Sequence, residues 1–251
     1  MVHKYNVDIP VGHGGFDPGA VNGDTKESNG TLGVALKLAV LLRNNDIGAN
    51  LSRTTDVACG GATNVTADVN NQINFVNKSS ADIAVAIHFN SAINKTANGV
   101  EVLYSNYPAQ DAREIRLATY ILTELANATG MKSRGIKEIP SGIGIIKHVR
   151  KPCVLSENGF ISNDIEKIWC SSEDHQWIIA EAHARAICKY FGVPHKERKV
   201  DKSMEQWKLD IISNAKKEGI ITSDHNPDDG VTKWFVLQVA INVLKIIRVG
   251  K

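Results

Sequence analysis

Ala81-Asp82-Ile83-Ala84-Val85-Ala86-Ile87-His88 is a nearly continuous apolar run closed by an imidazole. A run this short and this uninterrupted predicts a strand buried on both faces, with His88 delivered to its C-terminal end. Such a strand needs a layer of helix on each side of its sheet. The rest of the chain must supply those layers.

It has the pattern to do so. Tyr5 to Val11 reads as a strand that runs into Gly12-His13-Gly14-Gly15, where glycines let the backbone turn sharply around one histidine. Glu27 to Asn45 carries Leu32, Ala35, Leu36, Ala39 and Leu42 at helical spacing, and Ala49 to Arg53 follows as a strand. A helix over 67–78, a strand over 99–104, a helix over 109–129, a strand from Pro152 to Glu157 and a helix over 174–191 complete the series. A Ser-Gly-Ile-Gly turn lies between residues 132 and 147. Strands alternating with helices predict an α/β domain: a twisted, mostly parallel or mixed sheet of about six strands flanked by helices, plus a small C-terminal helical module.

The boundary between the two is compositional. Residues 1–193 form the α/β domain, and Pro194 to Lys202 is a short, highly charged linker. Residues 203–251 hold two helical patterns, over 203–218 and 231–248, the second carrying Trp234, Phe235, Val239, Val243, Leu244 and Ile247. About 50 residues in two helices make a marginal core alone. The tail therefore needs the main domain, a second copy of itself or an outside partner, and self-association through Trp234, Phe235 and Val243 is one expectation.

Bulk properties exclude other classes. A net charge of +2 over 251 residues gives no electrostatic footprint for nucleic acid. No stretch approaches the roughly 18 apolar residues of a membrane span. The N-terminus leads straight into a strand without the apolar core of a signal peptide, so synthesis in the cytoplasm without export by the usual route is expected. Cys59, Cys153, Cys170 and Cys188 are scattered, never spaced as C-x-x-C, and are expected to be free thiols.

In α/β sheets, ligands collect at the C-terminal edge of the strands. His13, Glu27 and His88 are the ligand types of a hydrolytic zinc centre with an open fourth position, where water is acidified toward neutrality. Glu157, also at a strand end, has the carboxylate needed to take that water's proton and pass it to a leaving amine. Taken singly each has a plainer account. His13 reads equally as a turn residue, Glu27 as a helix N-terminal acid favoured by the dipole, and His88 as a satisfied strand-end histidine. Asn90 and Asn158 are candidates for substrate or supporting hydrogen bonds. His183, His175, His195 and His225 read as structural or solvated; His148, nearer the Glu157 strand, is a lesser candidate for substrate contact.

The constellation as a whole resembles a family. Gly12-His13-Gly14-Gly15, Asp17-Pro18-Gly19-Ala20 and Glu27 look like the opening motif of the zinc-dependent N-acetylmuramoyl-L-alanine amidases of the Amidase_3 type. Ser52-Arg53-Thr54-Thr55-Asp56, Ile87-His88-Phe89-Asn90-Ser91-Ala92, Gly99-Val100-Glu101-Val102, Arg134-Gly135-Ile136-Lys137 and Glu157-Asn158-Gly159-Phe160-Ile161-Ser162-Asn163 follow in the same order. The resemblance spans about residues 3 to 192. It implies one Zn2+ held by His13, Glu27 and His88, and Glu157 as general acid/base. It implies hydrolysis of the amide between N-acetylmuramic acid and the L-alanine of the peptidoglycan stem peptide. Two positions depart from the family pattern: an upstream Asp is missing at the first motif, which reads Pro10-Val11-Gly12-His13, and Gln72 stands where an Arg is common. Neither is a metal ligand. Tyr104 to Ala109 leaves no room for the blocking helical insertion that some members carry.

An ungated amidase kept inside until lysis suggests a phage endolysin of a Gram-positive host, clostridial hosts included, or a mother-cell lysin of a spore former. Its partners would be peptidoglycan and, through the C-terminal module, other wall polymers. A zinc peptidase cutting within the stem, or a non-catalytic wall-binding protein, are the competing readings.

Overall fold

The computed structural model describes residues 3–105, 112–139 and 144–198, with Lys217 beyond them. The predicted helices over 203–218 and 231–248, His225, the 141–144 turn and the segment after Ser105 lie outside the described residues, apart from helical, exposed Lys217 and the turn's Gly144. By compactness the chain divides into Met1–Glu197 and Arg198–Lys251.

The first unit is built on β1 (Tyr5–Ile9), β4 (Ile47–Leu51), β5 (Ile83–Asn90), β6 (Val100–Tyr104), β7 (Ser133–Glu138) and β8 (Cys153–Phe160). They form one six-stranded sheet in the order β4-β1-β5-β8-β6-β7. Every pairing is parallel except β6 with β8. The helices are α1 (Glu27–Asn44), α2 (Val65–Lys78), α3 (Ala112–Thr129), α4 (Gly144–Lys147), α5 (Lys167–Ser171) and α6 (Glu173–Phe191). The expected fold class is therefore the observed one. A two-residue-per-strand hairpin, β2 (Val21–Asn22) with β3 (Thr25–Lys26), and the short α5 carry no periodic signal in the sequence.

The central strand β5 shows why the sheet has two covered faces. Side chains alternate along a strand, so Ile83, Val85 and Ile87 point one way and Ala84 and Ala86 the other. The first set joins a core with Leu38, Leu41 and Leu42 of α1, Leu117, Ile121 and Leu125 of α3, and Ile179 and Ile187 of α6. The second joins a smaller core with Val76 of α2, Ile145 and Ile146 of α4, and Cys153 and Leu155 of β8. Each fully buried branched side chain contributes roughly 1.5–3 kcal/mol, so the large face dominates stability. The smaller face, lined by alanines and covered by less helix, is the one that carries His88.

The first strand ends two residues earlier than its apolar pattern, because Pro10 has no N–H to give the ladder. The chain stays in place through a single bridge between Val11 and Ile87 and the bonds from Ile87 N to Pro10 O (3.0 Å) and from Gly12 N to Ile87 O (3.2 Å). All four cysteines are free and buried, and among the described residues no helix is long and apolar enough to cross a membrane.

Within the charged stretch after Gly192, Lys196 is tied back to the loop after α1. Its N–H donates to Asn45 Oδ1 (2.6 Å) and its Nζ pairs with Asp46 (2.5 Å). His195 Nε2 lies 3.0 Å from Glu181 of α6.

Candidate metal centre

The loop after β1 is wound tightly. His13 has φ +60, and Gly14 and Gly15 follow at +126 and +61. A non-glycine residue in the left-handed region is uncommon and is held there by its surroundings. Those surroundings are found in the Ser52–Asp56 segment. Ser52 Oγ accepts Val11 N–H (2.9 Å) and Asp56 accepts Gly15 N–H (3.0 Å). Buried Arg53 donates to the carbonyls of Gly12 (2.9 Å), Ser28 (2.7 Å) and Thr55 (3.0 Å), clamping the loop to the start of α1. Burial depresses its pKa, with the carboxylates of Asp56 and Asp68 acting against that.

Three ligand-bearing side chains converge here. Glu27 opens α1, where a carboxylate is also favoured by the helix dipole. Its Oε2 lies 3.2 Å from His13 Nε2, and its Oε1 lies 3.1 Å from His88 Nδ1. The three ligand atoms lie within 4.8 Å of one another. Two ligands on a tetrahedral zinc stand roughly 3.4 Å apart, so this donor set has the spacing and the chemistry of a His₂Glu site. Glycine makes the room: a Cβ on Gly12 would come within 2.4–2.7 Å of the His88 ring, and one on Gly19 within 2.7 Å of His13.

The supporting bonds fix each ligand. His13 Nδ1 donates to Asp17 Oδ2 (2.8 Å), which leaves Nε2 turned toward Glu27. Glu27 also accepts the main-chain N–H groups of Ala20 and Phe89, each at 3.0 Å. Burial would by itself lower the His13 pKa; the carboxylates of Glu27 and Asp17 outweigh it and raise it to about 9. Burial acts the other way on Glu27, but both histidines hold it well below the usual carboxylate range.

Glu157 is the register partner of His88 across the parallel β5–β8 ladder. It is also the partner of Glu101 across the antiparallel β6–β8 ladder. Alternation places Glu157 on the same face as Cys153 and Leu155, hence on the face of His88. Its Oε2 is buried with no protein partner among the described residues. Burial first, then the negative charges of Glu27 and Glu101, raise its pKa to about 8, with His13 acting against them.

Of the other predicted residues, Asn90 lies on the same side and donates to Glu101 Oε1 (2.9 Å). Asn158 does not join the group. It is one residue out of phase with Glu157, fully buried, and donates to the carbonyl of His88 (2.8 Å) and to Ser156. His183 is fully buried behind the sheet between Ile179 O and Ser156 Oγ, each at 2.9 Å. His175 packs edge-on against Trp169, and His148 is exposed.

Sequence reasoning assigned no role to Asp17, Arg53 or Glu101. Each lies within a quoted motif; the partners of Arg53 and Glu101 are remote in the chain, whereas Asp17 meets His13 only four residues away, through the tight winding of the loop. Gln72, where an Arg is common, donates to Asp68 Oδ2 (2.6 Å), and Asp68 in turn accepts Cys59 N–H (2.7 Å). The substitution is thus absorbed in the loop-to-α2 junction rather than at the metal ligands.

The profile of the N-acetylmuramoyl-L-alanine amidase family Amidase_3 matches residues 7–189. The chain is 30% identical over 189 residues to a germination-specific N-acetylmuramoyl-L-alanine amidase of Bacillus subtilis (strain 168), covering 73% of this chain and 78% of that one. It is 25% identical over 225 residues to the endolysin of Bacillus phage SPP1, covering 88% and 76%. The crystal structure of an N-acetylmuramoyl-L-alanine amidase from Clostridium difficile 630 superposes with a TM-score of 0.67 at 29% identity, over 76% of this chain and 98% of that one.

Proposed function

The chain belongs to the Amidase_3 family of N-acetylmuramoyl-L-alanine amidases, and from that premise we propose that it hydrolyses the lactyl–L-alanine amide of peptidoglycan at a zinc centre held by His13, Glu27 and His88. The observation that carries this reading is the pairing of His88 with Glu157: a metal ligand and a proton-transfer carboxylate on adjacent strands and one face.

When bound, zinc supplies Lewis-acid chemistry, acidifying water and polarising the scissile carbonyl. The protein's part is then positional and protonic. Asp17 fixes the His13 ring so that Nε2 faces the metal site. Glu27 is held ionised, as a ligand must be. Glu157, with an affinity for protons near neutrality, takes the proton of the attacking water and returns it to the departing alanine nitrogen. The glycine-lined approach at Gly12 and Gly19 leaves the ligands free of packed side chains.

We assign residues 1–193 to the catalytic domain, 194–202 to a connecting segment, and 203–251 to a module that docks on the wall or pairs with its copy. The likeness to the SPP1 endolysin supports lysis of a Gram-positive wall as the physiological setting.

The test is mass spectrometry of soluble products from purified peptidoglycan digested with and without a chelator. Intact stem peptides bearing a free N-terminal L-alanine, lost on chelation and restored by zinc, are expected. Cuts inside the stem would replace this reading with a peptidase. Activity indifferent to chelation would remove the metal from it.

A further inference from the structure

The proposed mechanism leaves two cations beside the site unused. Glu101 faces Glu157 across the β6–β8 ladder and is itself buried. Both of its carboxylate oxygens are engaged. Oε1 accepts from Asn90, and Oε2 accepts from Arg134 Nε (2.7 Å) and from Lys137 Nζ (2.5 Å). Two cations thus share one oxygen of one carboxylate, and the cluster keeps a formal charge of +1.

The cations are held, yet not used up. The Arg134 guanidinium lies 4.8 Å from the Phe160 ring centroid and donates through Nη1 to Asn98 O (3.2 Å). Its Nη2 has no protein partner among the described residues. Lys137 commits one of its three ammonium donors. The two side chains are 30% and 41% exposed, on a strand that ends the sheet. A buried structural ion pair would be matched one to one and shielded from water. A fixed, partly exposed surplus of positive charge suits an incoming anion, and a planar guanidinium beside an ammonium suits a carboxylate.

We propose that Arg134 and Lys137, positioned by Glu101, form a carboxylate subsite for the peptide side of the substrate, taking the free α-carboxylate of the acidic second residue of the stem. The assignment rests on the amidase reading. The sugar next to the scissile amide is N-acetylated and neutral, so the nearest negative charge is on the peptide. In a stem whose second residue is joined onward through its side-chain carboxyl, that charge is the α-carboxylate. It stands about five bonds, or ~6 Å, from the scissile nitrogen. Arg134 and Lys137 start from β7, two strands or ~9.6 Å from Glu157, but their charged ends reach back to Glu101 on β6, one strand or ~4.8 Å from Glu157, and so come within that reach. The stem would then cross β6 toward β7 as Glu157 protonates its amine.

The experiment uses the full-length zinc-loaded protein and two soluble disaccharide-tetrapeptides that differ only in whether this α-carboxyl is free or amidated. We expect kcat/KM at least ~10-fold higher for the free acid, mainly through KM, as for other charge-assisted contacts. Lys137→Met and, separately, Arg134→Gln should bring the acid-to-amide ratio toward one, and Lys137→Glu should invert it. Arg134→Lys should keep part of it. Equal kcat/KM for the two substrates in the wild type, or a ratio unchanged in Lys137→Met and Lys137→Glu, would overturn the subsite while leaving the amidase reading intact. Failure to release free L-alanine amines from either substrate and from whole peptidoglycan would take down both.

Discussion

His88 and Glu157 are register partners on adjacent parallel strands, with side chains on the same, thinly covered face of the sheet. Strand spacing alone sets their Cα atoms ~4.8 Å apart, independent of any loop. The candidate metal site and the proposed proton-transfer carboxylate are therefore one rigid unit. His13 from the loop after β1 and Glu27 from the first turn of α1 are brought to that unit, and Arg53 clamps the two segments together.

That rigidity separates metal binding from proton transfer. Glu157→Gln removes the proton carrier and no ligand, so kcat should fall by ~10²–10⁴-fold. Bound zinc, measured by elemental analysis after gel filtration, should stay at one per chain. Near-normal turnover with zinc present would move the acid/base role to another group.

Gly12 is under steric rather than conformational constraint, since its backbone is not in the left-handed region. Gly12→Ala places a Cβ within 2.4–2.7 Å of the His88 imidazole, and the ring must turn away. Zinc affinity, read by competition with a chromophoric chelator, should weaken by ~10-fold or more, the scale of losses when a ligand's support is removed. Unchanged affinity would mean that the ring has another rotamer compatible with binding.

Zinc and a proton compete for His13. Its pKa is raised to about 9, so at pH 7 the metal-free protein carries that proton and must release it on binding. Zinc affinity should therefore rise about tenfold per pH unit from pH 7 toward 9 and level off above. Calorimetry in two buffers of different ionisation heat should show about one proton released per zinc at pH 7. In the metal-free protein the stabilising contribution of His13 is fully present below its ordinary value of 6.5 and is lost as pH rises through 9. Zinc should thus raise Tm most at the alkaline end.

His183 works with the opposite sign. Burial lowers its pKa from 6.5 to about 4, with the bond to the Ile179 carbonyl acting against it. Above pH 6.5 both folded and unfolded chains hold it neutral. As pH falls from 6.5 to 4 only the unfolded chain takes up the proton, and about 3 kcal/mol of stability should be lost over that window. In denaturant titrations, the stability difference between wild type and His183→Gln should shrink by that order between pH 7 and 4. A difference independent of pH would show that the buried imidazole titrates normally.

The strands and most helix positions could be read from the chain because burial imposes a period. Ile83 to Ile87 has only one comfortable environment, and α1 announces itself by Ala35, Ala39 and Leu42. The candidate site was legible for a different reason: His13, Glu27, His88 and Glu157 each lie at a strand or helix end, in motifs of recognisable order. Asn90 and Asn158 show the limit. Both follow a strand-end site residue, yet one sits on the site face and the other behind the sheet, because Asn158 is an odd number of residues from Glu157 and Asn90 an even number from His88.

The amino-acid order by itself determined the α/β class, the glycines around the candidate site, and the four groups proposed to hold a metal and move a proton. Those are local properties of side-chain type and spacing. The tertiary structure alone decided that Glu101 stands opposite Glu157, and that Arg134 and Lys137 share its carboxylate. It also placed Arg53 across the carbonyls of Gly12 and Ser28. These partners are 25 to 56 residues apart. Their meeting depends on strand order and on the one antiparallel pairing in the sheet, and these are settled by how the whole chain packs.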